Sequence, residues 1–150
     1  MDYDDLEQHE LDDLFSDSCQ FNNLINIKYL IKLNYVDIHY DDDYGLRLAC
    51  KHNHLNIVKY LLDAPDLKEH ANIHAKGDEA FKNAYTANHL DIINYLIIDY
   101  KIPRTKEIEE LLSSIPKEDI KQLFDKRDLN QILENELDSD KIDLIKKIKL

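Results

Sequence analysis

The chain is poor in the residues that build catalytic loops and crosslinks. Its 150 residues include 2 glycines, 3 prolines, 2 cysteines, 1 methionine and no tryptophan. Two isolated glycines, Gly45 and Gly77, cannot supply a P-loop or a dinucleotide fingerprint, in which several glycines let backbone N–H groups approach phosphate. No G-x-S-x-G segment is present to position a serine nucleophile. Positive charge is also scarce: 19 Lys and Arg face 31 acids, for a formal charge of −12. Residues 1–20 carry eight acids and no Lys or Arg. This balance disfavours nucleic acid, whose phosphates demand a basic footprint, and anionic membrane surfaces. No apolar run approaches the roughly 20 residues of a membrane span. The acidic N-terminus lacks the basic region and apolar stretch of a secretory signal, so a cytoplasmic chain is expected. What remains is a hydrophobic content of 43%, enough for one domain with a real core.

That content is organised as a repeat. Residues 36–62 and 71–97 align without a gap at an offset of 35 (71 minus 36). Ile38/Ile73, His39/His74, Ala49/Ala84, Asn53-His54-Leu55/Asn88-His89-Leu90, Ile57/Ile92 and Tyr60-Leu61/Tyr95-Leu96 are identical. A fixed period in the thirties signals stacked helical units. Leu46, Ala49 and Cys50 have the i, i+3, i+4 spacing of one helix face, as do Phe81, Ala84 and Tyr85. Ile57, Val58, Leu61 and Leu62 mark a second helix, repeated by Ile92, Ile93, Leu96 and Ile97. A degenerate copy precedes them: Phe15–Leu24 aligns with Leu46–Leu55 at an offset of 31 (46 minus 15), with Asn26 in place of Ile57. The shorter offset places an insertion around Asp63–His70, where Pro65 and the charges predict an extended surface loop. Cys19 and Cys50 fall at equivalent positions on neighbouring helices. Stacked helices lie roughly 8–10 Å apart, beyond the reach of about 7 Å between disulfide Cα atoms, so two reduced, buried thiols are expected.

The motif order resembles the ankyrin-repeat family, in its divergent form from giant DNA viruses and some intracellular bacteria. Val36-Asp37-Ile38-His39 and Ala71-Asn72-Ile73-His74 are similar to the family's hairpin-like A-D-V-N segment. Asn53-His54 and Asn88-His89 stand where the family has Gly-His. The T-P-L-H tetrad is replaced by Tyr44-Gly45-Leu46-Arg47 and Glu79-Ala80-Phe81-Lys82. The resemblance implies an all-α, ankyrin-like helical repeat solenoid that binds a protein partner through hairpin tips and exposed first-helix positions. Matched residue by residue, these are Tyr40, Asp41, Asp43, Lys51 and His52 in one repeat, Lys76, Asp78 and Thr86 in the next, and Phe21 in the degenerate one. Asp41–Asp43 and the acidic N-terminus favour a basic partner. The competing reading of those acids is a solvated face. The resemblance also gives His54 and His89 a structural role beside the neighbouring loop. His39 and His74 occupy the hairpin Asn, a position that can be hydroxylated in this family.

Beyond Pro103 the repeat fades while helical periodicity continues. The simplest division is an acidic lead-in over 1–14, repeats over 15–35, 36–70 and 71–102, and two helical hairpins over 103–150 that cap the stack. The histidines lack the Cys partners and H-E-x-x-H spacing of a zinc site, so no metal or cofactor is expected. A monomeric, non-enzymatic interaction module is the leading reading, with a viral or bacterial effector as its setting. One alternative rests on Ile115–Phe124, which is similar to the start of an F-box and would make the chain a ubiquitin-ligase adaptor. The other is an enzyme in the C-terminal third, which requires a pocket of convergent polar groups there.

Overall fold

The computed structural model describes Tyr3 and residues 5–116. Residues 1–111 form one compact unit and 112–150 a second, of which 112–116 are described. The described residues are all-α, with no strand among them. The segment similar to a hairpin therefore carries no strand pairing.

The first helix, α1 (Gln8–Gln20), opens inside the acidic lead-in. Its start is set by Glu10, whose Oε2 accepts the Glu7 N–H at 2.9 Å, with the carboxylate near the positive helix end. Helix α2 (Leu24–Lys32) completes the first repeat. The second pairs α3 (Tyr40–Lys51) with α4 (Leu55–Asp63). The third pairs α5 (Ala75–Thr86) with α6 (Leu90–Asn94), which runs on into a π-helical turn over Tyr95–Asp99. Helix α7 (Lys106–Ser113) follows. In the second unit, the Ile115 N–H closes a turn on the Leu112 carbonyl at 3.3 Å. Most of the expected C-terminal hairpins, and residues 117–124 of the F-box-like segment, lie outside the described residues.

The connection inside each repeat explains the replacement of Gly-His by Asn-His. Asn22, Asn53 and Asn88 are repeat equivalents, with φ of 62, 62 and 56°. A helix ending in a left-handed residue wants Gly, and Asn is the usual substitute in a chain with almost none. The next residue donates back into the helix: Asn23 to Ser18, His54 to Ala49 and His89 to Ala84, at 2.8, 2.9 and 2.9 Å.

Inner helices α1, α3 and α5 pack side by side, and α4 packs on α6. Phe15, Cys19, Leu46, Ala49, Cys50, Phe81 and Ala84 fill the inner layer; Ile27, Ile57, Val58, Leu61, Ile92 and Leu96 fill the outer. Both cysteines are free and buried, and burial pushes each thiol up to about 12. Gly45 is a close-approach position, since a Cβ there would lie 2.7 Å from Phe15 Cε1 and 3.0 Å from Cys19 Sγ. The insertion loop is less free than expected: Leu67 is buried, and Ala71 N–H donates to the Leu61 carbonyl at 2.9 Å.

Polar atoms show why the first repeat departs from the pattern. Asn26 replaces a core isoleucine, but its amide donates to Ser18 Oγ and accepts from Tyr3 Oη, both at 2.8 Å. At the other end, Thr105 Oγ1 accepts the Ile108 N–H at 3.2 Å and starts α7, whose Ile108 is buried.

Candidate functional site

The candidate site grows out of a backbone conformation. Asp41, Asp42 and Asp43 have φ of 46, 54 and 59°, and Lys76, Gly77 and Asp78 have 51, 65 and 64°. The second and third repeats therefore enter their first helices through a left-handed turn. That conformation costs an ordinary L-residue roughly 1–2 kcal/mol, and Asp less because its side chain bonds locally. The turns project Tyr40, Asp41, Asp42, Lys76 and Gly77 into solvent.

Side chains hold these turns. Asp43 Oδ1 accepts from His39 Nδ1 and from the Asn72 N–H of the next repeat, both at 2.9 Å. Asp78 Oδ1 accepts from His74 Nδ1, and its Oδ2 accepts from Thr105 Oγ1 at 2.6 Å. This corrects one expectation. The family resemblance implies partner contacts for Asp43 and Asp78, yet they are 4% and 3% exposed and spend their carboxylates on the fold. A carboxylate taken from water has to be satisfied internally, and here one serves its own turn and the following segment together.

Arg47, which stands at the last position of the replaced tetrad, is the residue that sequence reasoning missed. It is 6% exposed. Nη2 donates to the Asp41 carbonyl at 2.6 Å and Asp41 Oδ2 at 3.1 Å; Nε donates to the Asp42 carbonyl at 3.1 Å; Nη1 donates to Glu79 Oε1 at 3.1 Å. Its guanidinium lies 5.0 Å from the Tyr44 ring centroid. A planar fork with five donors suits this clamp, which an ammonium cannot reproduce. The available signal was a rare arginine, one of three in the chain, directly after a turn with no glycine.

The exposed acids are also less free than expected. Lys76 Nζ lies 3.6 Å from Asp41 Oδ1 and 3.4 Å from Asp42 Oδ2. The tip surface is therefore a mixed patch of Tyr40, Tyr44, Asp41, Asp42 and Lys76 rather than a uniformly acidic one. Lys51, His52, Thr86 and Phe21 are exposed at the far ends of the first helices. His52 is held below its ordinary range, first by desolvation, then by Lys51, His54 and His89. The neighbouring histidines staple repeats together: His54 Nε2 donates to the Gln20 carbonyl at 2.6 Å and His89 Nε2 to the Lys51 carbonyl at 2.9 Å.

Among the described residues no group of three or more His, Cys, Asp or Glu converges to hold a metal ion. An open groove beside α2 is lined by Lys28, Lys32 and Lys68 but also by Asp37, Asp66 and Glu69, which leaves it electrostatically balanced. Among the described residues no helix is long and apolar enough to cross a membrane.

A family model described as ankyrin repeats (3 copies) matches residues 15–106. No curated protein and no solved structure matches the chain.

Proposed function

The chain belongs to the ankyrin-repeat family, a typically non-enzymatic family that generally mediates protein binding, and from that premise we propose that it is a protein-interaction module whose partner sits on the turn tips and the exposed ends of the first helices. Tyr40, Asp41, Asp42, Lys51, His52, Lys76 and Thr86 contribute contacts, with Phe21 at the margin. The observation that carries the reading is the pair of aromatic rings at one tip: Tyr40 and Tyr44 are 41% and 36% exposed beside the salt-bridged Asp41, Asp42 and Lys76. Rings held at a rigid turn make contact area at small entropic cost. The partner presents a basic group to Asp42 and an apolar one to Tyr40. The protein works as a monomer in the cytoplasm.

The test is affinity capture with the wild-type chain beside the double variant Tyr40→Ala, Asp42→Lys, followed by titration of the captured protein. Asp43 stays intact because it belongs to the fold. A weakening of at least about tenfold, the equivalent of 1.4 kcal/mol, is expected. Equal affinity for both chains, with matching circular dichroism, would falsify the tip assignment.

A further inference from the structure

A second exposed surface shares only Phe21 with the partner face proposed above. Phe21, Ile25, Tyr29 and Leu33 are 69%, 84%, 47% and 42% exposed. They recur every four residues, the last three along α2 and its C-cap, over roughly 12 Å of axis at 1.5 Å per residue. The repeat supplies its own control. The positions of Phe21 are filled in the other repeats by His52 and Ala87, and those of Ile25 by Asn56 and Asp91, all exposed. The fold therefore leaves the Phe21 and Ile25 positions exposed in every copy, and only the first repeat fills them with large apolar side chains; the Leu33 position holds the buried Ala64 and the exposed Asp99. Tyr29 tells a related story. Its counterparts Tyr60 and Tyr95 are buried, each under a lysine of the preceding repeat: Lys28 at 4.9 Å and Lys59 at 5.2 Å from the ring centroids. Tyr29 has no preceding lysine; Tyr3 lies 5.5 Å away and leaves the ring half open.

We propose that this stripe on α2 docks an amphipathic helix of a partner protein whose apolar face is bordered by Asp and Glu. Apolar residues at i, i+4 and i+8 are the pattern one helix offers another. The charge follows from α2 itself, which carries Lys28 and Lys32 and no acid in a chain of net −12. Lys28 and Lys32 directly precede Tyr29 and Leu33 and line the groove alongside α2, so at the border of the stripe they favour carboxylates over cations. A second copy of this chain is a poor occupant, because a two-fold contact would bring together two copies of α2, each carrying Lys28 and Lys32 and no acid. An anionic lipid surface is disfavoured by the net charge.

The experiment selects displayed helical peptides with a fixed leucine stripe and flanks randomised among Asp, Glu, Lys and Ser on the full chain. The same peptides are then titrated against the triple variant Phe21→His, Ile25→Asp, Leu33→Ala. Each substitution copies a residue that another repeat carries, so circular dichroism and Tm should stay unchanged. Expected are acid-flanked peptides whose affinity falls at least about tenfold on the variant, falls with added salt and falls with Lys32→Glu. The turn-tip variant Tyr40→Ala, Asp42→Lys should leave this binding intact, so the two surfaces stand or fall separately. No enrichment, lysine-flanked winners, or equal binding to the triple variant would overturn the proposal. So would a variant-sensitive dimer in sedimentation, or variant-sensitive binding to phosphatidylserine vesicles.

Discussion

Replacing Arg47 by Met removes the clamp on the Asp41–Asp43 turn while keeping the aliphatic packing of the side chain. The loss can be worked from the contacts. Two main-chain carbonyls, those of Asp41 and Asp42, each lose a bond to a charged donor, at 2.6 and 3.1 Å. Such bonds contribute about 1.5–3 kcal/mol each. The low end applies because both residues lie at the surface, where water can replace the donor. The two carboxylates, with side chains 50% and 39% exposed, add little. The expected cost is about 3 kcal/mol, or roughly 6–12 °C in Tm for a chain of this size. Urea and thermal unfolding followed by circular dichroism measure it. Arg47→Lys should lose most of the same stability, since an ammonium cannot reach both carbonyls in a fork. Asp42→Gly should recover up to about 1 kcal/mol in the Met background, because glycine occupies the left-handed region without strain. The third repeat already uses that solution, with Gly77 in the turn and Lys82 at the arginine position. A Met variant within about 0.5 kcal/mol of wild type would refute the clamp, placing Arg47 among ordinary surface changes.

Gly45→Ala should destabilise by about 1–3 kcal/mol, because the new methyl meets the buried Phe15 ring at 2.7 Å; unfolding midpoints that do not move would show that α1 and α3 can separate. The equivalent Ala80 is tolerated because the repeat equivalent of Phe15 is the smaller Leu46. The buried thiols set an alkaline limit. Cys19 and Cys50 rise from 9.0 to about 12 on folding, so the unfolded chain releases these protons first. Stability is then fully present below about pH 9 and falls toward pH 12, by up to about 1.4 kcal/mol per pH unit for each thiol. Tyr95, pushed up to about 12 chiefly by burial, acts in the same direction. Urea midpoints measured across that range, with iodoacetamide reactivity in parallel, check it; a midpoint that stays flat to pH 11 would contradict the burial argument.

The sequence alone determined the helical class, the three repeats and the inner apolar positions. Periodicity is enough for that, since one helix pair cannot bury both faces and must stack. Repeat alignment also located His54 and His89, and the family resemblance assigned them a supporting role. What only the tertiary structure decided is which polar residues belong to the fold and which to the surface. Asp41, Asp42 and Asp43 read alike in the chain. Three consecutive left-handed residues then rotate Asp43 inward onto His39 and Asn72, and leave Asp41 and Asp42 outside beside Lys76. Arg47 was illegible for the same reason, because its acceptors are carbonyls that converge only when the turn is made. The converse holds for Ile25. Its apolar character is plain in the sequence, but that it faces water required the position of α2 in the stack, since burial is a property of neighbours and not of the residue.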